Sequence, residues 1–105
     1  MPIVRIVSPR EVTYGIYEQV DAKLGVESNP PEGLIMHSAS VVDGKLKIVD
    51  VWESEEHAER FGAERLGPAI MEVAGEQVGG PPEPGQIEIY EIKNLVLPQR
   101  AVAST

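Results

Sequence analysis

Two runs of alternating side chains, residues 34 to 42 and 45 to 53, are joined by Asp43-Gly44. No other feature restricts the fold of this chain as much. A two-residue turn of this type needs positive φ at both central residues, and Asp-Gly supplies it readily. It also locks the register of the two strands. Pairing Val42 with Lys45 sets Val41 against Leu46, Ala39 against Ile48, His37 against Asp50 and Ile35 against Trp52. Side chains alternate along a strand, so these last eight residues share one face. Only His37 and Asp50 among them are polar, and the register opposes them directly. The other face carries Leu34, Met36, Ser38, Ser40 and Val42 against Lys45, Lys47, Val49, Val51 and Glu53. It is apolar near its base and polar at the hairpin tip.

The flanking segments complete a pattern. Residues 3 to 7 are short and β-branched, which predicts a first strand. Ser8 as N-cap, Pro9 at the first helical position and Glu11 at the third predict that a helix starts there. Val12, Ile16, Val20 and Leu24 recur every four residues as its apolar stripe, with Tyr17 beside them, and Gly25 should end it. Residues 27 to 33 read as a loop. Ser54 caps a second helix whose first turn holds Glu55 and Glu56 and whose buried side is Ala58, Phe61 and Leu66. Gly67-Pro68 should break or kink it, leaving a short turn over 69 to 74. Residues 75 to 86 are dense in Gly and Pro and predict a mobile loop near the mouth of any pocket. Residues 86 to 93 alternate again as a fourth strand. The order β-α-β-β-α-β predicts a ferredoxin-like α+β domain over residues 1 to 105, with a four-stranded antiparallel sheet and a tail from 95.

Composition removes several functions. A net charge of −8 with no dense Lys/Arg cluster excludes a nucleic-acid binder, which needs a cationic footprint. The same charge disfavours a strongly anionic substrate. Without cysteine there are no disulfides or thiolate metal sites. Neither histidine is placed with carboxylates as a metal triad, and Gly79-Gly80 runs into Pro-Pro rather than a phosphate-binding helix. No metal and no cofactor is therefore expected. No basic, apolar leader and no membrane-length apolar run is seen, which predicts a cytoplasmic protein without a membrane partner.

Two helices can cover only one face of the sheet. The mixed face suits them, since its polar tip can project into water. That leaves the Trp52 face open, and an apolar patch of that size calls for a partner. A second copy packed sheet to sheet about a two-fold axis is the expected cover. Folding back of the apolar residues Leu95, Val96 and Leu97 is the alternative.

Over nearly its whole length the chain resembles the dimeric α+β barrel superfamily. Within it the chain is most similar to the small bacterial antibiotic-biosynthesis-monooxygenase-like proteins. The resemblance is carried by IVDVWESEEHAERF (48 to 61) and by Pro31-Glu32-Gly33-Leu34 leading into the second strand. It implies two sheets packed as a dimeric barrel. It also implies a shortlist of activities: cofactor-free oxygenation of polyketide quinones, haem degradation, or polyketide cyclisation. The haem-degrading branch has an Asn on strand one, then a Trp and a His on helix two. Those regions here hold Arg5, Phe61 and Met71, so haem is not expected. The quinone monooxygenases use a Trp, Asn and Tyr set. This chain has a single Trp, and no Asn between Asn29 and Asn94.

The candidate catalytic residues are His37 and Asp50. Opposed across two strands, their Cβ atoms should lie roughly 4.5–5.5 Å apart. A carboxylate beside an imidazole fixes its tautomer and raises its pKa, which poises a general base. The same pair could equally be a satisfied polar contact that sets strand register or dimer geometry. Trp52 and Ile35 would wall the site. Tyr14 and Tyr17, three apart on the first helix, are neighbours that could donate to a ligand oxygen or simply pack. Ser38 and Ser40 are expected to face the helices and line a cleft beside these tyrosines. His57 is expected to be exposed on the second helix. Two readings of function follow. One is a cofactor-independent monooxygenase, isomerase or cyclase acting on a small aromatic or polyketide-like molecule. The other is a non-catalytic homodimer that binds a small apolar ligand or a protein. A cavity reached by both His37 and Asp50 would favour the enzyme.

Overall fold

In the computed structural model, residues 1–10, 12–78 and 85–98 are described, with the backbone alone over 74–78. Strands β1 (Ile3–Ser8), β2 (Leu34–Val42), β3 (Lys45–Trp52) and β4 (Gln86–Glu91) form one antiparallel sheet in the order β2-β3-β1-β4. Helix α1 (Tyr14–Leu24) links β1 to β2. After β3 come α2 (Glu55–Phe61), a π-helical turn (Gly62–Leu66) and α3 (Gly67–Val78). This is the ferredoxin-like α+β arrangement.

Asp43 and Gly44 both adopt positive φ, 52° and 77°, as a type I′ turn demands. From that turn the register runs as expected through His37 opposite Asp50. It then slips. A bulge at Ile35 sets Leu34, not Ile35, against Trp52. An extra residue in one strand re-aims those after it, and here it brings Leu34 onto the Trp52 face.

The first helix begins later than its sequence signals. Ser8 stays in β1, paired with Gln86, and Thr13 is the cap, its Oγ1 accepting from the Ile16 N–H at 3.2 Å. A strand partner outcompeted the capping role of Ser8. Glu11 lies outside the described residues. Val12 precedes the helix yet still packs with Leu24 around buried Ile16 and Val20. The expected break at Gly67-Pro68 is also absent. The π turn widens the backbone there, and the Gly67 N–H reaches back to the Gly62 carbonyl. A Cβ on Gly67 would sit 2.8 Å from that oxygen, so glycine permits the turn. Pro68 then falls near the start of α3, where a missing N–H is tolerated. The helix runs on to Val78, so residues 75 to 78 are not loop; residues 79 to 84 of the expected mobile segment lie outside the described residues, and Gln86 already belongs to β4.

The helices cover the face that was expected to stay open. Trp52 is 1% exposed and packs with Ile3, Ala58, Leu34 and Phe61, its ring 5.5 Å from that of Phe61. The missing weight was β1, whose Ile3 and Val7 extend the apolar rows beside Trp52 and Ile48. Ser38 and Ser40 accordingly lie on the helix-free side. That side carries Val4, Ile6, Met36 and Val49, partly buried, and Val51, which is buried. No helix of the described residues is long and apolar enough to cross a membrane.

Candidate active site

One row of side chains crosses the sheet beneath the helices: His37 on β2, Asp50 on β3, Arg5 on β1 and Ile89 on β4. It is flanked by two apolar rows, Leu34-Trp52-Ile3 on one side and Ala39-Ile48-Val7-Ile87 on the other. The backbone register alone therefore sets a polar strip into an apolar floor. Helix α1 supplies the roof. Its buried residues Ile16 and Val20 anchor it, and Tyr17 and Asp21, one turn apart, come down beside that stripe. Between roof and floor lies a cavity of about 400 Å³ whose wall includes His37, Asp50, Arg5, Tyr17 and Asp21 among apolar residues such as Trp52, Phe61 and Ile70.

Three of these groups form a hydrogen-bonded chain. His37 Nδ1 lies 2.5 Å from Asp50 Oδ1, and Tyr17 Oη lies 2.6 Å from His37 Nε2. An ionised carboxylate only accepts, so the Nδ1–H donates to Asp50. In the neutral ring Nε2 is then an acceptor, and the Tyr17 hydroxyl donates to it. The His37 and Asp50 side chains are 29% and 14% exposed. The hydrogen bond His37 donates to Asp50 holds the His37 pKa above its ordinary 6.5; burial opposes that rise, and the charges of Asp50 and Asp21 support it. Burial is the main reason the Tyr17 phenol is pushed up to about 12, with Asp21 and Asp50 adding to it. Tyr17 therefore stays protonated at neutral pH. Its ring stacks between Tyr14 (centroids 5.7 Å apart) and His37 (5.9 Å).

Solved structures share this architecture. A protein from Deinococcus radiodurans described as a candidate antibiotic biosynthesis monooxygenase is 15% identical, with a TM-score of 0.61 over 94% of this chain and 99% of its own. A monooxygenase of Streptomyces coelicolor in complex with nanaomycin D is 18% identical, with a TM-score of 0.56 over 93% of this chain and 92% of its own. The chain shares its fold with both of these proteins. A haem degrader of Mycobacterium tuberculosis, with two haems bound in its active site, shares the fold at 23% identity and a TM-score of 0.53, over 90% and 98% of the two chains. The sequence matches no family model and no curated protein.

On this fold the residues singled out from sequence separate into two groups. His37, Asp50, Trp52 and Tyr17 meet at the cavity. Tyr14 does not line it; 45% exposed, it backs the Tyr17 ring. Ser38 is on the opposite face of the sheet, where its hydroxyl donates to the Val49 carbonyl at 3.4 Å. Ile35, expected to wall the site, is displaced by the bulge, and Leu34 takes its place. His57 is not free in solvent. It is half-buried, its Nδ1 lies in hydrogen-bond contact with Ser54 Oγ at 2.7 Å, and a side chain on Gly33 would run into its ring. Among the described residues no three His, Cys, Asp or Glu side chains gather as a metal site. Arg5 and Asp21 were not picked out as wall residues. For Arg5 the signal was present: it is the one charge between Ile3 and Val7 on the core-facing side of its strand.

Proposed function

We propose that the protein is a cofactor-independent enzyme that removes an acidic proton from a small aromatic or polyketide-like molecule. The hydrogen-bonded chain Tyr17–His37–Asp50 on the wall of an apolar cavity carries this reading. A phenol or enol O–H, or a C–H beside a carbonyl, gives its proton to Tyr17 Oη. The original Tyr17 proton passes to His37 Nε2. The bond broken on the substrate leaves its electron pair there, as an enolate or phenolate. Asp50 stabilises the imidazolium that forms. A phenol with a pKa of about 12 is a poor free base, so Tyr17 acts as a conduit and His37 as the base. The resulting anion can be reprotonated elsewhere, attack an internal carbonyl, or react with oxygen. These are the isomerase, cyclase and monooxygenase outcomes on one first step. Because His37 and Asp50 open to a cavity rather than a closed contact, this reading is preferred to a purely structural pair.

The test is deuterium exchange into 1,8-dihydroxyanthrone in heavy water under nitrogen, followed by NMR, with oxygen uptake then measured in air. Exchange well above the buffer rate is expected. An unaltered rate over this probe and a linear β-diketone would sink the reading.

The protein is proposed to work as a homodimer, through the helix-free face rather than the Trp52 face. Val4, Ile6, Met36, Val49 and Val51 form an apolar field there. Leu95, Val96 and Leu97, 37%, 71% and 53% exposed, add apolar surface on the tail. Sedimentation equilibrium should give twice the 11.4 kDa chain mass at micromolar concentration. Val49→Asp should reduce it to one chain, since an unpaired charge at an apolar contact costs several kcal/mol. A single-chain mass for the unaltered protein would contradict the dimer.

A further inference from the structure

We propose that Arg5 is a catalytic residue that holds the negative charge created when a proton passes through Tyr17 to His37, and that the ligand is a planar phenol or enol, neutral on arrival. This rests on the proton-relay reading and adds to it the anion's place and the ligand's charge.

Arg5 is partly buried and lines the cavity in the same cross-sheet row as His37 and Asp50. Asp50 is its direct neighbour, yet Asp50 Oδ1 is taken by His37, and among the described residues Arg5 has no ion pair or hydrogen bond. Its guanidinium therefore stands on the cavity wall without a protein acceptor. A ligand oxygen would complete it. Arg5 is thus a wall donor short of an acceptor, which is what an oxygen-bearing aromatic supplies.

The charges on the wall decide the ligand's ionisation. Arg5 is positive and Asp50 and Asp21 are negative, so with His37 in the neutral form that can act as a base the set carries one negative charge in excess. A preformed anion meets that excess. A neutral ligand does not, and once its proton reaches His37 the imidazolium and Arg5 flank the new anion with two positive charges. Binding neutral and reacting as an anion is the behaviour that stabilises a transition state more than a ground state.

The experiment uses 4-nitro-1-naphthol, whose neutral and ionised forms differ in colour, and 1-nitronaphthalene as its hydroxyl-free analogue. Absorbance gives the bound naphthol's ionisation ratio at fixed pH, independently of turnover. Arg5→Met should shift that ratio towards the neutral form by about ten- to a thousand-fold, the usual effect of removing an adjacent opposite charge. Arg5→Lys should recover part of the shift. Nitronaphthalene should bind the unaltered protein and Arg5→Met equally, which shows that the variant is folded and its cavity intact. An equal naphthol ratio in the two proteins, with nitronaphthalene bound to both, overturns the role of Arg5 and leaves the relay standing. Failure of both probes to bind the unaltered protein overturns the cavity as a ligand site, and this proposal with it.

Discussion

Glutamine in place of His37 should slow deuterium exchange into the anthrone by about 10²–10⁴-fold, the range that a positioned general base contributes. The glutamine amide can still meet Asp50 and Tyr17 but cannot take up a proton. Phenylalanine at Tyr17 should lose a comparable factor, although it keeps the stack between Tyr14 and His37. In both variants urea denaturation should change little beside the loss of rate. A purely structural pair reverses the pattern. Asp50→Asn would then cost roughly 1–3 kcal/mol of stability through an unsatisfied partly buried group, with exchange intact. Exchange rates and urea midpoints measured on the same three variants separate the two roles.

Alanine in place of Trp52 should destabilise the domain by about 3–5 kcal/mol, as loss of a buried aromatic usually does. Trp52 joins β3 to α2 through Ile3, Ala58 and Phe61, and at 1% exposure it is the most deeply buried large side chain described. Against a typical total of about 5–15 kcal/mol such a loss brings the protein close to unfolding at room temperature. Trp52→Phe should cost less than half as much, because a six-membered aromatic ring still fills most of the site and an unpartnered N–H is removed. Urea unfolding monitored by circular dichroism measures both. A cost below about 1 kcal/mol for alanine would mean that Trp52 does not lie between sheet and helices.

Local chemistry was legible in this sequence, and the layer arrangement was not. The Asp43-Gly44 turn specifies backbone signs at two residues, so the opposition of His37 and Asp50 could be read from spacing alone. The caps at Ser54 and Gly25 are equally local. The sheet face chosen by the helices is a competition summed over four strands, and the hairpin's two strands are only half of it. Ile3 and Val7 tipped it towards Trp52. The bulge at Ile35 has no turn residue to announce it. Nor can a sequence show that a π turn after Phe61 lets a helix continue past Pro68. For the site, Tyr17 was visible as a neighbour of the apolar stripe. Its bond to His37 depends on how α1 lies across the sheet, which no spacing rule supplies. Expecting Ser38 at the site followed directly from assigning the helices to the wrong face.

The relay stands or falls with the contact between His37 and Asp50, and an NMR titration of the His37 imidazole, in the unaltered protein and in Asp50→Asn, reads that contact. The hydrogen bond and charge of Asp50 outweigh burial, so the unaltered ring should titrate above 6.5. By linkage, a raised folded-state value contributes stability that is fully present below pH ~6.5 and is lost as the pH rises through the folded value. In Asp50→Asn the burial that lowers the pKa loses its main opponent, and the ring should titrate distinctly lower than in the unaltered protein. An imidazole pKa that Asp50→Asn leaves unchanged would mean that the two side chains do not interact, and the Tyr17–His37–Asp50 site would fall with them.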